Sequence, residues 1–134
     1  MNKEKFIRIH EMASIGTIEG DCTVRVYGME SESRVPHFHI TQGPESRPTK
    51  ECCIKIKECG YYDHDSAKTH HRRVRDLSLS SERLQSLVTM LQEPVEDNLT
   101  KWQMLILNWN MQNPGDYRKV NSKMEMPDYT KLSK

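Results

Sequence analysis

Long apolar runs are missing from this chain. Nowhere does it reach the roughly 18 consecutive apolar residues that a membrane-crossing helix requires, and its opening, MNKEKFIRIHEM, carries charges where a secretory leader has an apolar stretch. An excess of one charge is missing too. With 20 Lys and Arg against 19 Asp and Glu, the formal net charge is +1, so no overall field draws the protein to nucleic acid or to an anionic membrane surface. A partner of that kind has to be held by a local patch. The 6 glycines form no phosphate-cradling loop, and there is no nucleophile elbow and no paired acidic motif of recognisable spacing. The four cysteines, Cys22, Cys52, Cys53 and Cys59, have no CxxC spacing, which argues against a standard zinc motif and, without a leader, against a disulfide framework. The expectation is a cytoplasmic protein with reduced thiols and no membrane partner.

What is there suits one domain. A chain of 134 residues can bury a core without staples, but 35% hydrophobic residues and a mean hydropathy of -0.81 make that core modest and leave part of the chain outside it. The N-terminal half reads as strands. FIRIH alternates, EGD at 19–21 supplies a turn, and CTVRVYG at 22–28 sets Cys22, Val24 and Val26 on one face with Arg25 and Tyr27 on the other. In VPHFHIT, Phe38 and Ile40 share a face opposite Val35, His37, His39 and Thr41; if the first pair faces the core, both histidines face away from it. Pro36 lacks a ladder donor, so this strand lies at an edge or begins there. ECCIKIKEC points Cys52, Ile54 and Ile56 inward and Cys53, Lys55, Lys57 and Cys59 outward, and KTHHRRVRDL is a further strand or an exposed connection.

The period then changes. In SSERLQSLVTMLQEP, Leu84, Leu87, Val88 and Leu91 line one helical face, Ser80 caps the start and Pro94 ends it. NLTKWQMLILNWNMQNPG repeats the pattern with Trp102, Leu105, Ile106 and Trp109, the tryptophans in the apolar stripe as core. The fold class expected is α+β: a small antiparallel sheet of three to four strands packed against two C-terminal helices. Residues 1–115 form that single domain, and residues 116–134, with no sustained period, form a flexible or partner-ordered tail.

The Pro-His-Xaa-His-aliphatic strand PHFHI, the charged strand after it, the two helices and the Trp in LILNWN together resemble a small bacterial family of unknown function, over about residues 22–112. Some of its members are encoded beside an antitoxin-like partner, so the resemblance implies a toxin-like or regulatory role by association.

Two constellations carry chemistry. His37 and His39, alternate on one strand, place their imidazoles roughly 6 to 7 Å apart, within reach of one divalent metal. Further ligands would come from Asp63, His64, Asp65, His70, His71, Cys53 or Cys59. Without metal the same pair can act as general acid and base, with Arg72, Arg73 and Arg75 on a phosphate, a histidine-based nuclease. A solvated or hydrogen-bonded pair with no chemistry, the wet face of the sheet, is the plainer alternative. KTHHRRVR is the densest basic run: Lys68, His70, His71, Arg72, Arg73 and Arg75, with Tyr61 and Tyr62 nearby to stack on unpaired bases, suit a nucleic-acid or acidic protein partner. A solvated segment balanced by Asp63, Asp65 and Asp76 competes with it. The leading expectation is a macromolecule-binding regulatory or toxin–antitoxin-like component. The nuclease comes next, then a structural or accessory subunit docking by an edge strand or the tail.

Overall fold

A computed structural model of the protein describes residues 12–28, 35–44, 47–62, 75–115 and 119–133, with Met12 and Arg75 described by their backbones alone. The FIRIH segment and the run from Lys68 to Arg73 lie outside the described residues.

The architecture is α+β. Strands β1 (Met12–Ile18), β2 (Cys22–Tyr27), β3 (His37–Gln42) and β4 (Lys50–Lys55) form an antiparallel sheet in chain order, and β5 (Arg75–Asp76) adds to β4 in parallel. The turn from β1 to β2 uses Glu19 and Gly20 with φ of 53° and 78°, the left-handed pair that a tight hairpin turn demands. Strand β1 was not expected, and its pattern explains why. A bulge between Ser14 and Gly16 sets Ile15 and Gly16 consecutively on the core side, so Ala13, Ile15 and Ile18 are buried without regular alternation. The bulge also brings Met90 onto Gly16, where a Cβ would lie 2.6 Å from its sulfur.

Helix α1 (Ser81–Leu91) is capped by Ser80, whose hydroxyl accepts from the Arg83 N–H. It ends at Leu91 rather than at Pro94, which opens a two-stranded ribbon of β6 (Pro94–Glu96) and β7 (Leu99–Thr100). Helix α2 (Lys101–Gln112) starts from a reciprocal capping box between Thr100 and Gln103. Leu84, Leu87, Leu91, Trp102, Leu105, Ile106 and Trp109 close one core with Val24, Val26, Phe38, Ile40, Ile54 and Ile56 of the sheet.

Of the two placements open to the PHFHI strand, the second holds: it begins directly after Pro36 and is central, between β2 and β4, with the Pro36 carbonyl accepting from the Ile56 N–H. One expectation needs correcting. The boundary at 115 does not separate a tail from the core, because Val120, Tyr129 and Leu132 belong to that core. The Trp102 indole donates to the Met124 carbonyl at 2.9 Å, and the Tyr129 hydroxyl donates to the Lys55 carbonyl at 2.7 Å. Three anchors spaced along an aperiodic stretch leave no helical or strand pattern in the sequence, which is why it read as a tail.

Candidate functional site

Parity along the strands sets the second face of the sheet. Arg25 is opposite His39, His39 opposite Cys53, and Thr41 opposite Glu51, so the side chains opposite the apolar ones gather from three strands. His37 and His39 do lie on the face away from Phe38 and Ile40, as their alternation requires. That face is not wet: His37 is 0% exposed and His39 1%. The solvent-facing reading of the pair is overturned, because alternation reports which face a side chain takes and not whether the face is covered.

The histidines divide their partners. His37 Nδ1 lies 2.8 Å from the Val35 carbonyl, and its ring stacks on Tyr62 with centroids 4.3 Å apart and meets Trp109 at 5.4 Å. His39 Nδ1 lies 2.7 Å from Glu51 Oε2 and 3.4 Å from Cys53 Sγ, and the Tyr27 ring packs edge-on to it at 4.5 Å. Beside them the Arg25 guanidinium donates to the Thr41 hydroxyl at 2.8 Å and to the Ser14 hydroxyl at 3.3 Å. Burial pushes the Tyr27 phenol up, against the opposing pull of His39. With the ring centroids 5.1 Å apart, the two imidazoles are neighbours, but each Nδ1 is already directed at a different group. Among the described residues no three His, Cys, Asp or Glu side chains come together in a metal-holding group.

Sequence reasoning named His37, His39 and Cys53 but missed Arg25, Thr41 and Glu51 as their companions. The parity was readable, since these positions are all odd-numbered on the three strands. The register that sets Glu51 two places from Cys53 beside His39 was not, because it depends on the pairing of β3 with β4.

The two tyrosines named beside the basic run are half-buried: Tyr62 stacks on His37, and Tyr61 packs against the core while its backbone bridges to Ile54. Lys68, His70, His71, Arg72 and Arg73 lie outside the described residues, as do Asp63, His64 and Asp65. What the fold does define is where that segment leaves and returns. The Tyr62 N–H donates to the Cys53 carbonyl at 2.9 Å, Arg75 pairs with Lys50, and the Leu77 N–H donates to the Glu51 carbonyl at 3.0 Å. Both ends are therefore fastened along the same edge of β4.

A separate polar cluster fixes α1 to the β1–β2 turn. Arg83 reaches Asp21 Oδ2 at 2.7 Å, Glu19 Oε1 at 3.2 Å and Cys22 Sγ at 2.7 Å. The Gln42 amide, followed by Arg83, holds the Asp21 carboxyl below its usual range, while burial pushes the Cys22 thiol up to about 11. All four cysteines are free of disulfides, the exposed Cys59 donating its thiol to the Asp128 carbonyl. Among the described residues no helix is long and apolar enough to cross a membrane.

No protein-family model, curated protein or solved structure matches this chain.

Proposed function

We propose that the protein is a macromolecule-binding regulatory component, and that its contact is made by the basic segment running from Lys68 to Arg75 toward an acidic protein surface. The observation that carries this reading is the fastening of that segment's two flanks, Tyr62 and Arg75, to one edge of β4. A run with four cations and no acid is thereby tied at both ends to β4. Tyr61 and Tyr62 are half-buried and each has an internal contact, which weakens base stacking on them, whereas the electrostatic part is what an acidic protein partner needs. The toxin–antitoxin-like pairing implied by the Pro-His-Xaa-His resemblance is a regulatory interaction of this kind.

A nuclease built on His37 and His39 would need a polymer phosphate to reach imidazoles that are 0% and 1% exposed. Their burial weighs against it.

The test compares binding of a fluorescent polyglutamate peptide and of a single-stranded DNA oligomer to the full chain and to an Arg72→Glu, Arg73→Glu variant. The expected result is salt-sensitive peptide binding that weakens about tenfold or more in the variant, at a far-UV spectrum unchanged from the parent. Peptide binding that the double reversal leaves intact would remove the reading. Tighter binding of the DNA, lost in the same variant, would replace it with a nucleic-acid partner.

A further inference from the structure

We propose that Cys53 is a peroxide-sensitive thiol, activated by His39 and oxidised ahead of the exposed Cys59. The inference concerns a modification site on β4 and stands independently of the binding reading.

The geometry sets Cys53 apart from the other three thiols. Its sulfur lies 3.4 Å from His39 Nδ1, and the same nitrogen is 2.7 Å from Glu51 Oε2. A carboxylate at that distance favours the imidazolium form of His39, and an imidazolium beside a sulfur favours the thiolate, which is the nucleophilic form of cysteine. Arg25, opposite His39 on β2, adds a second cation to the same face. Cys53 is 7% exposed, level with Cys52 at 8% and above Cys22 at 0%, so the position is closed to a polymer, and what separates Cys53 from Cys52 is its histidine neighbour and not its access.

The other thiols lack this environment. Cys22 sits in the apolar core with its acidity weakened by burial, and its sulfur already accepts from Arg83. Cys52 points to the opposite side of β4, opposite Ile40 and within the hydrophobic cluster. Cys59 has solvent access, but its thiol donates to the Asp128 carbonyl, and partial burial and the Asp128 charge both hold the proton on sulfur. Exposure and activation thus fall on different cysteines.

The reaction balances without a further reagent. Cys53 passes its proton to the unprotonated Nδ1 of neutral His39, where the Glu51 carboxylate stabilises the imidazolium that forms, and the thiolate attacks one oxygen of hydrogen peroxide as the O–O bond breaks. Sulfur is oxidised to a sulfenic acid, the peroxide is reduced, and the departing hydroxide recovers the proton from the imidazolium and leaves as water. The new hydroxyl on sulfur then lies beside His39 and Glu51, both able to hydrogen-bond it.

The experiment treats the folded full-length protein with substoichiometric hydrogen peroxide, traps sulfenic acid with dimedone and maps the label by peptide mass spectrometry. Cys53 is expected to carry at least about ten times the label of Cys59. His39→Asn is expected to bring Cys53 down to the level of Cys59 while Cys59 itself stays unchanged. A companion measurement needs no variant: in the urea-unfolded parent protein the preference for Cys53 should disappear. Labelling of Cys59 or Cys22 first in the folded parent overturns the proposal. So does a preference for Cys53 that survives His39→Asn or unfolding.

Discussion

Replacing Tyr129 tests whether residues 119–133 are part of the cooperative fold. The side chain is 0% exposed, its ring lies edge-on to Phe38 at 5.7 Å and to Trp102 at 6.1 Å, and its hydroxyl reaches the carbonyls of Lys55 at 2.7 Å and Ile56 at 3.2 Å. Tyr129→Phe keeps the ring and removes a donor serving two carbonyls where β4 ends, a loss of about 1–2 kcal/mol. Tyr129→Ala removes the ring as well and opens a cavity between sheet and helix, about 3–5 kcal/mol. Against a total stability of order 5–15 kcal/mol, the second figure is a large share. With a urea m-value of about 2 kcal/mol per molar, the unfolding midpoint should fall by about 0.5–1 M for Phe and about 2 M for Ala. Trp102 fluorescence is a suitable probe, because its indole is held by the Met124 carbonyl in the same segment. A midpoint that Tyr129→Ala leaves unmoved would refute the reasoning. Cooperative unfolding at the parental midpoint after removal of residues 119–134 would do the same, and would restore the segment to the status of a tail.

Four further outcomes follow from named contacts. Gly16→Ala should cost about 1 kcal/mol, the low end for overpacking because the flexible Met90 thioether can move aside, and Met90→Ala should then be less damaging in that background than in the parent; additive losses in a double-mutant cycle would show that the two do not touch. Among the described residues, Gln112 buries its side-chain nitrogen and oxygen without hydrogen-bond partners, so Gln112→Met should be neutral or stabilising by thermal melt, and a clear drop in Tm would contradict this. Thr100→Ala breaks the capping box with Gln103 and should lower stability by about 1 kcal/mol in urea, with no change meaning that the box adds nothing to α2. The fourth is alkaline destabilisation. Burial raises the Tyr27, Tyr61 and Tyr129 phenols and takes the Cys22 thiol to about 11, so the folded chain keeps protons that the unfolded chain has lost. That stability is complete below the unfolded values, near about 9 for the thiol and about 10 for the phenols, and is lost as pH climbs past them. Urea midpoints should therefore fall between about pH 8 and about pH 11, and a flat or rising profile would count against the burial of these groups.

Elements with one clean period were legible, and those shaped by pairing partners were not. The Leu84, Leu87, Leu91 stripe and the Trp102, Leu105, Ile106, Trp109 stripe each describe a helix that needs no knowledge of its neighbours, and both helices stand with their cores as expected. Strand β2 alternates and was equally plain. Strand β1 was hidden because its bulge puts Ile15 and Gly16 on one side, erasing the two-residue period. The 119–133 segment was hidden because Val120, Tyr129 and Leu132 enter the core singly, with hydrogen bonds to distant carbonyls in place of a repeating pattern. The candidate site falls between these cases. PHFHI announced which residues share a face, whereas the partners of His39 are chosen by β3–β4 register and its burial by whatever lies over that face.

A sheet with one apolar face and one face that is polar yet buried has a strongly specified register. Moving β3 by one residue against its neighbours would turn His39 and Thr41 toward the apolar core that holds Leu87 and Leu105, and Phe38 and Ile40 toward Arg25 and Glu51. The slip would strand Glu51 and Arg25 without the His39 and Thr41 partners they now have across the sheet. Unpaired charge inside a protein is far more costly than unpaired apolar surface, so the second face discriminates between registers even where the valines and isoleucines of the first would tolerate exchange. On this reasoning His39 and Glu51 have a structural duty that precedes any chemistry at Cys53. Glu51→Gln, which keeps the shape but removes the charge, should loosen the sheet less than Glu51→Ala. Amide hydrogen exchange along β3 and β4 reads the difference directly, and equal protection in the two variants would leave the register to the apolar face alone.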